Sequence, residues 1–141
     1  MDTQELEREV VESGGDPPSA NAYVINGHPG PLYNCIEHDM YTIRAIPGKT
    51  YLLRIINATL NMEHFFTIAN HKMKVVEVDG QYTKPFVTKH LMIIPGQTTN
   101  VLVTANHQLG SYYMGMGPYM SAHNIDFQKS PALALYSTKG V

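Results

Sequence analysis

From Pro47 to Gly80 the chain reads PGKTYLLRIINATLNMEHFFTIANHKMKVVEVDG, three apolar runs separated by polar turns. Within Thr50 to Asn57, the side chains of Tyr51, Leu53 and Ile55 fall on one side of an extended strand. Leu52, Arg54 and Ile56 fall on the other, because strand side chains alternate with a period of two. Both sides are mostly apolar, which predicts a strand enclosed inside a two-layer sandwich. His64 to Ala69 and Met73 to Val78 continue the pattern, with Asn70-His71-Lys72 as a hairpin corner and Asp79-Gly80 as the exit turn. The block therefore predicts three consecutive antiparallel strands, a meander that needs a second sheet to cover it.

Residues 2 to 13 predict a short helix: Asp2 and Glu5 form a capping-box pair, Leu6, Val10 and Val11 make a thin apolar stripe, and Gly14-Gly15 stop it. Asp16-Pro17-Pro18-Ser19 is a linker-like break. Ala22 to Asn26 and Tyr41 to Ile46 read as strands, as do Leu91 to Ile94, Thr98 to Thr104, Ser111 to Met116 and Ala132 to Tyr136. Ile46-Pro47-Gly48-Lys49 and Ile94-Pro95-Gly96-Gln97 each place Pro and Gly at the centre of a type II turn. Residues 1–21 thus form a helix-and-linker segment and residues 22–141 a folded domain, an all-β antiparallel Greek-key sandwich.

At 141 residues, such a domain buries roughly 70% of its unfolded surface, enough for a core without metal or disulfide staples. A net charge of -2, with acids and bases interspersed, gives no basic stripe for nucleic acid and no polybasic membrane patch. The acidic N-terminus has no apolar leader, so with Met1 as the start the chain is expected to be soluble and without a signal peptide. The single cysteine, Cys35, excludes an internal disulfide framework and is either a buried thiol or half of a bridge to something else.

Candidate chemistry is sparse. None of the seven histidines lies two residues from another, so no His-x-His pair sets two ligands on one strand face, and HExxH and CxxC are absent. Cys35, His38 and Met40 supply the ligand types of a blue-copper centre, but His38 and Met40 are too close together and a second histidine would have to be His28 or a distant one. The PGKT tetrapeptide is no phosphate loop: Ile43 stands where that motif needs glycine, and a strand follows instead of a helix. No G-x-S-x-G elbow is present, and Glu63 and His64, adjacent on a strand, point to opposite faces. Met114, Met116 and Met120 suit core and interdomain packing better than copper. Asn57-Ala58-Thr59 is a glycosylation sequon at a strand end, where partial burial competes with modification.

Four phrases, YVINGHPGPLYNC (Tyr23 to Cys35), GKTYLLRIINATLN (Gly48 to Asn61), FFTIANHKMKVVEVDGQYTKPF (Phe65 to Phe86) and IIPGQTTNVLVTAN (Ile93 to Asn106), resemble the second cupredoxin-like domain of plant-type laccases, which are multicopper oxidases. The resemblance implies a cupredoxin-like sandwich from a secreted, apoplastic, three-domain enzyme. Such an enzyme takes electrons from phenols, including lignin precursors, at one copper and reduces dioxygen to water at a trinuclear copper cluster. In that family the copper ligands lie in the first and third domains. Their His-Trp-His-Gly and His-Cys-His signatures are missing here, and the chain has no tryptophan.

The resemblance therefore implies no cofactor in this chain, copper in the full-length enzyme, and the outer two domains and a phenolic substrate as partners. It makes residues 61–64 one wall of the phenol pocket. Asn61 stands where fungal relatives carry a carboxylate that binds the phenol, and Glu63 is a second candidate. It also makes Cys35 the half-cystine that ties this domain to the first. An unpaired Cys35 and a missing signal peptide are both expected of a piece of a longer product. Two other functions compete: a stand-alone blue-copper electron carrier using Cys35 and His38, and a non-enzymatic extracellular binding module on the same scaffold.

Overall fold

The computed structural model describes residues 3–15, 22–32, 40–60, 62–119 and 131–139. A helix, α1 (Thr3–Ser13), is followed by nine strands: β1 (Thr42–Arg44), β2 (Thr50–Ile56), β3 (His64–Ile68), β4 (Met73–Val78), β5 (Gln81–Thr88), β6 (His90–Ile93), β7 (Thr98–Thr104), β8 (Ser111–Pro118) and β9 (Ala132–Ser137). Gly14 ends the helix as anticipated, at φ 63° with its N–H donating to Val10 O. Asp2, the other half of the capping pair, lies outside the described residues.

The strands form two sheets, β1-β9-β8-β3-β6 and β2-β7-β4-β5. All pairings are antiparallel except β1 with β9. The sandwich is as expected, but the meander is not. β2 and β4 belong to the four-stranded sheet and β3 to the five-stranded one, so the chain crosses the core twice between Thr50 and Val78. Asn70 at φ 59° and the bond from His71 N to Ile68 O do make a tight corner, but it passes the chain between sheets instead of pairing neighbours. The true hairpin is β4–β5, across Asp79 (φ 49°) and Gly80 (φ 78°), the left-handed pair of a two-residue hairpin turn.

β2 is an edge strand, not an enclosed one, and Leu52 and Ile56 remain more than half exposed. β5, which carries Pro85, is a strand beyond those expected from the sequence. Proline is tolerated at an edge, and the β4–β5 register shifts between Val75 and Glu77, opposite it. Ala22 to Asn26 yields only an Ile25–His28 bridge around the Asn26-Gly27 turn. Both Pro-Gly turns form as expected, with Gly48 at φ 79° and Gly96 at φ 77° and closing bonds to Ile46 O and Ile94 O.

The core lies between the sheets. Phe66 and Ile68 of β3, Leu91 and Ile93 of β6, Met114 of β8 and Tyr136 of β9 face Met73 and Val75 of β4 and Val101 and Val103 of β7. Met114 is thus a core residue, as its sequence context suggests.

Candidate functional site

The segment entering β3 is organised by one buried amide. Asn57, 5% exposed, donates through Nδ2 to Met62 O and Ile93 O, both at 2.9 Å. Its Oδ1 accepts from Thr59 N at 3.1 Å, with the Thr59 hydroxyl 2.7 Å away. That hydroxyl also lies 2.9 Å from Met62 O, and His64 Nδ1 lies 3.0 Å from the same carbonyl. If the hydroxyl proton goes to Asn57, the two lone pairs of Met62 O are filled by Asn57 and His64, and every polar atom of the Asn57 amide is satisfied. The sequon residue is therefore a loop staple whose modifiable nitrogen has both protons in use.

This staple fixes Glu63, half-buried at the mouth of β3, with its carbonyl accepting from Tyr119 N at 2.8 Å. Tyr119 sets its ring edge-on to Phe65, centroids 5.3 Å apart. Inside, His64 is 2% exposed, its ring edge-on to Tyr23 at 5.0 Å, and Tyr23 donates its hydroxyl to Met62 Sδ at 3.0 Å. Glu63 lies just before β3 and half-buried, while His64, the first residue of the strand, is buried. Asn61, the other candidate in this loop, lies outside the described residues.

At the far end of β3, His71 is 3% exposed, with Nδ1 2.8 Å from Ala69 O. Its ring meets those of His107, Tyr112 and Tyr136 at 4.6, 4.7 and 5.0 Å. Burial holds both His64 and His71 below the usual imidazole range, opposed by their backbone bonds, and nearby His107 lowers His71 further. Each is the neutral tautomer that donates from Nδ1, leaving a buried Nε2 with no partner in the protein. Burial also raises the Tyr136 phenol, with Tyr51 adding to it. No linear spacing could have shown this ring cluster, because His71, His107 and Tyr136 come from three separate loops and strands.

Of the other candidates, His28 stacks on Tyr41 at 6.1 Å and His90 is exposed on β6. Cys35, His38, Met120 and His123 lie outside the described residues. Among the described residues no three of His, Cys, Asp and Glu gather as a metal site, and the two buried imidazoles sit at opposite ends of β3. The described histidines do not gather as a copper centre.

The multicopper oxidase family model matches residues 1–140. Laccase-6 of Arabidopsis thaliana is 57% identical over 136 residues, 96% of this chain and 24% of that protein. Laccase-4 of Oryza sativa subsp. japonica is 54% identical over 121 residues, covering 86% and 20%. The solved laccase from Botrytis aclada superposes with a TM-score of 0.76 over 94% of this chain and 26% of that one, at 21% identity, which shows the fold. The chain belongs to the multicopper oxidase family, with the cupredoxin-like sandwich of its members. It spans about a quarter of the length of the laccases it matches.

Proposed function

We propose that this chain is the middle cupredoxin-like domain of a laccase, holding apart outer domains that bring the copper. Copper is the cofactor expected of that family. The observation that carries the reading is the outer face of the five-stranded sheet. Tyr113, Phe65 and Met92 are 52%, 39% and 48% exposed there. Leu133 and Leu135 of β9 join them, half-buried, beside Gly115 and Gly117. A sheet face this apolar is suited to packing against another layer. Its occupant is a neighbouring domain of the same enzyme, consistent with a chain that matches only a quarter of its relatives.

The stapled loop lends one wall to the phenol pocket, through Asn61 and Glu63. Cys35 ties the domain to the first one, and the enzyme acts on lignin-related phenols outside the cell. Grafted into Arabidopsis Laccase-6 in place of the matched residues, the chain is expected to preserve copper-dependent phenol oxidation. Alone, with Cu(II) added, it should oxidise no phenol beyond the metal in buffer. Turnover with stoichiometric copper by the chain alone would overturn the reading.

A further inference from the structure

A groove of about 1250 Å³ opens at the far end of β3 from Glu63. Its charge is one-sided: Lys72, Lys74 and Lys89 line it with His71, His90 and His107, and no Asp or Glu does. On a chain carrying twelve acids against ten bases, such a stretch is a local concentration and not a general basicity. Lys72 and Lys74, two apart at the entry to β4, leave the backbone about 7 Å apart, and both line the groove. A divalent cation would meet like charge, so the paired rings of His71 and His107 do not make this a metal site.

The remaining lining narrows the anion. No arginine is present, so the guanidinium fork that matches phosphate is missing and the positive charges are points on flexible stems. The aromatic ring of Tyr112 is half-buried against His71, leaving no open platform for stacked bases. Asn70, Asn106 and Gln108 offer neutral amides along the rim. His71 lies buried beneath this rim with the exposed His107 ring 4.6 Å away. Point charges with neutral donors and acceptors suit a ligand bearing carboxylates and many hydroxyls. We infer that this groove binds a carboxylated polysaccharide, a role separate from the phenol wall and independent of it.

The test is titration of the chain with polygalacturonate, with its fully methyl-esterified form, and with single-stranded oligothymidylate, at low and high salt. Lys72→Gln/Lys74→Gln/Lys89→Gln is compared with Arg8→Gln/Lys84→Gln/Lys139→Gln, which removes the same charge from exposed positions outside the groove. The groove triple should weaken polygalacturonate binding tenfold or more and the control less than threefold, with added salt weakening the wild type. Lys74→Glu, checked for unchanged circular dichroism, should weaken it at least as much as Lys74→Gln. Equal loss in both triples, equal affinity for the esterified polymer, preference for the oligonucleotide, or no binding at low salt would each overturn the inference.

Discussion

Asn57→Ala removes the staple under Glu63, and its cost can be worked out from the partners. Both Nδ2 bonds and both contacts to Oδ1 disappear, and Ile93 O and Thr59 N lose this side-chain partner. Met62 O suffers less, since Thr59 Oγ1 and His64 Nδ1 remain beside it. At about 1 kcal/mol net per bond, with incomplete additivity, the loss comes to about 3 kcal/mol. For a chain of this size that is roughly a 10 °C fall in Tm. Asn57→Asp separates hydrogen bonding from size. It keeps acceptors for Thr59 but turns a carboxylate oxygen toward two carbonyls, so at neutral pH it should be less stable than Asn57→Ala. Protonation returns one donor, which raises the folded pKa of this acid. Its deficit against wild type should therefore shrink as pH falls toward about 4 and grow as pH rises. Urea unfolding followed by circular dichroism at several pH values measures all three proteins. A loss under about 1 kcal/mol for Asn57→Ala, or a neutral-pH Asp variant as stable as wild type, would refute the account. A glycan on Nδ2 would take one of the same two protons, so peptide mass spectrometry of folded chain from a secretory host should find Asn57 bare.

Gly30→Ala should destabilise by more than about 2 kcal/mol, because φ is 85° and an added Cβ would sit 2.6 Å from Leu133 O. Gly27→Ala, at φ 86° with open space, isolates the backbone part, and equal losses by thermal unfolding would show that the close approach is absent. His64 and His71 have lowered folded pKa values, so their contribution is fully present above about pH 6.5 and is lost as pH falls below it. Each adds a slope of up to about 1.4 kcal/mol per pH unit in that window, and His71→Phe should flatten the measured profile. Phe65→Ser with Tyr113→Ser should reduce binding of an apolar dye to the chain, and unchanged fluorescence would count against the docking face.

Sequence alternation was enough to find most of the strands, because a half-buried strand must repeat every two residues. It could not assign them to sheets. Thr50 to Val78 looks like a meander since its runs are short and close together, yet a corner such as Ile68 to His71 can hand the chain to its own sheet or to the opposite one. Register, not local pattern, decides which. The apolar outer side of Leu52 and Ile56 misled for a related reason: on an edge strand, apolar composition and enclosure are separate properties. Glu63 was legible as a loop candidate only through family resemblance. The staple beneath it was hidden inside a sequon, where the same Asn-x-Thr spacing serves an internal turn. The groove was illegible because its lysines come from the β3–β4 corner, β4 and the segment before β6.

The length of β3 connects these features. His64 opens it and His71 follows its far end: four steps of about 3.3 Å put Ile68 roughly 13 Å from His64, and the Asn70 corner then leads to His71. Metal ligands must lie about 2.0–2.3 Å from one ion, so these two buried imidazoles cannot share one. Each is instead fastened to a carbonyl two residues before it, Met62 for His64 and Ala69 for His71, and caps one end of the strand. Glu63 precedes β3, whereas the lysine groove gathers at its far end. Substitutions in the groove should therefore leave the KM for a phenol unchanged in a grafted laccase, while Glu63→Gln should raise it without altering polygalacturonate binding. Movement of both properties by either substitution would mean that the two ends of β3 are coupled through the core, which the independent hydrogen-bond sets at its termini give no means to do.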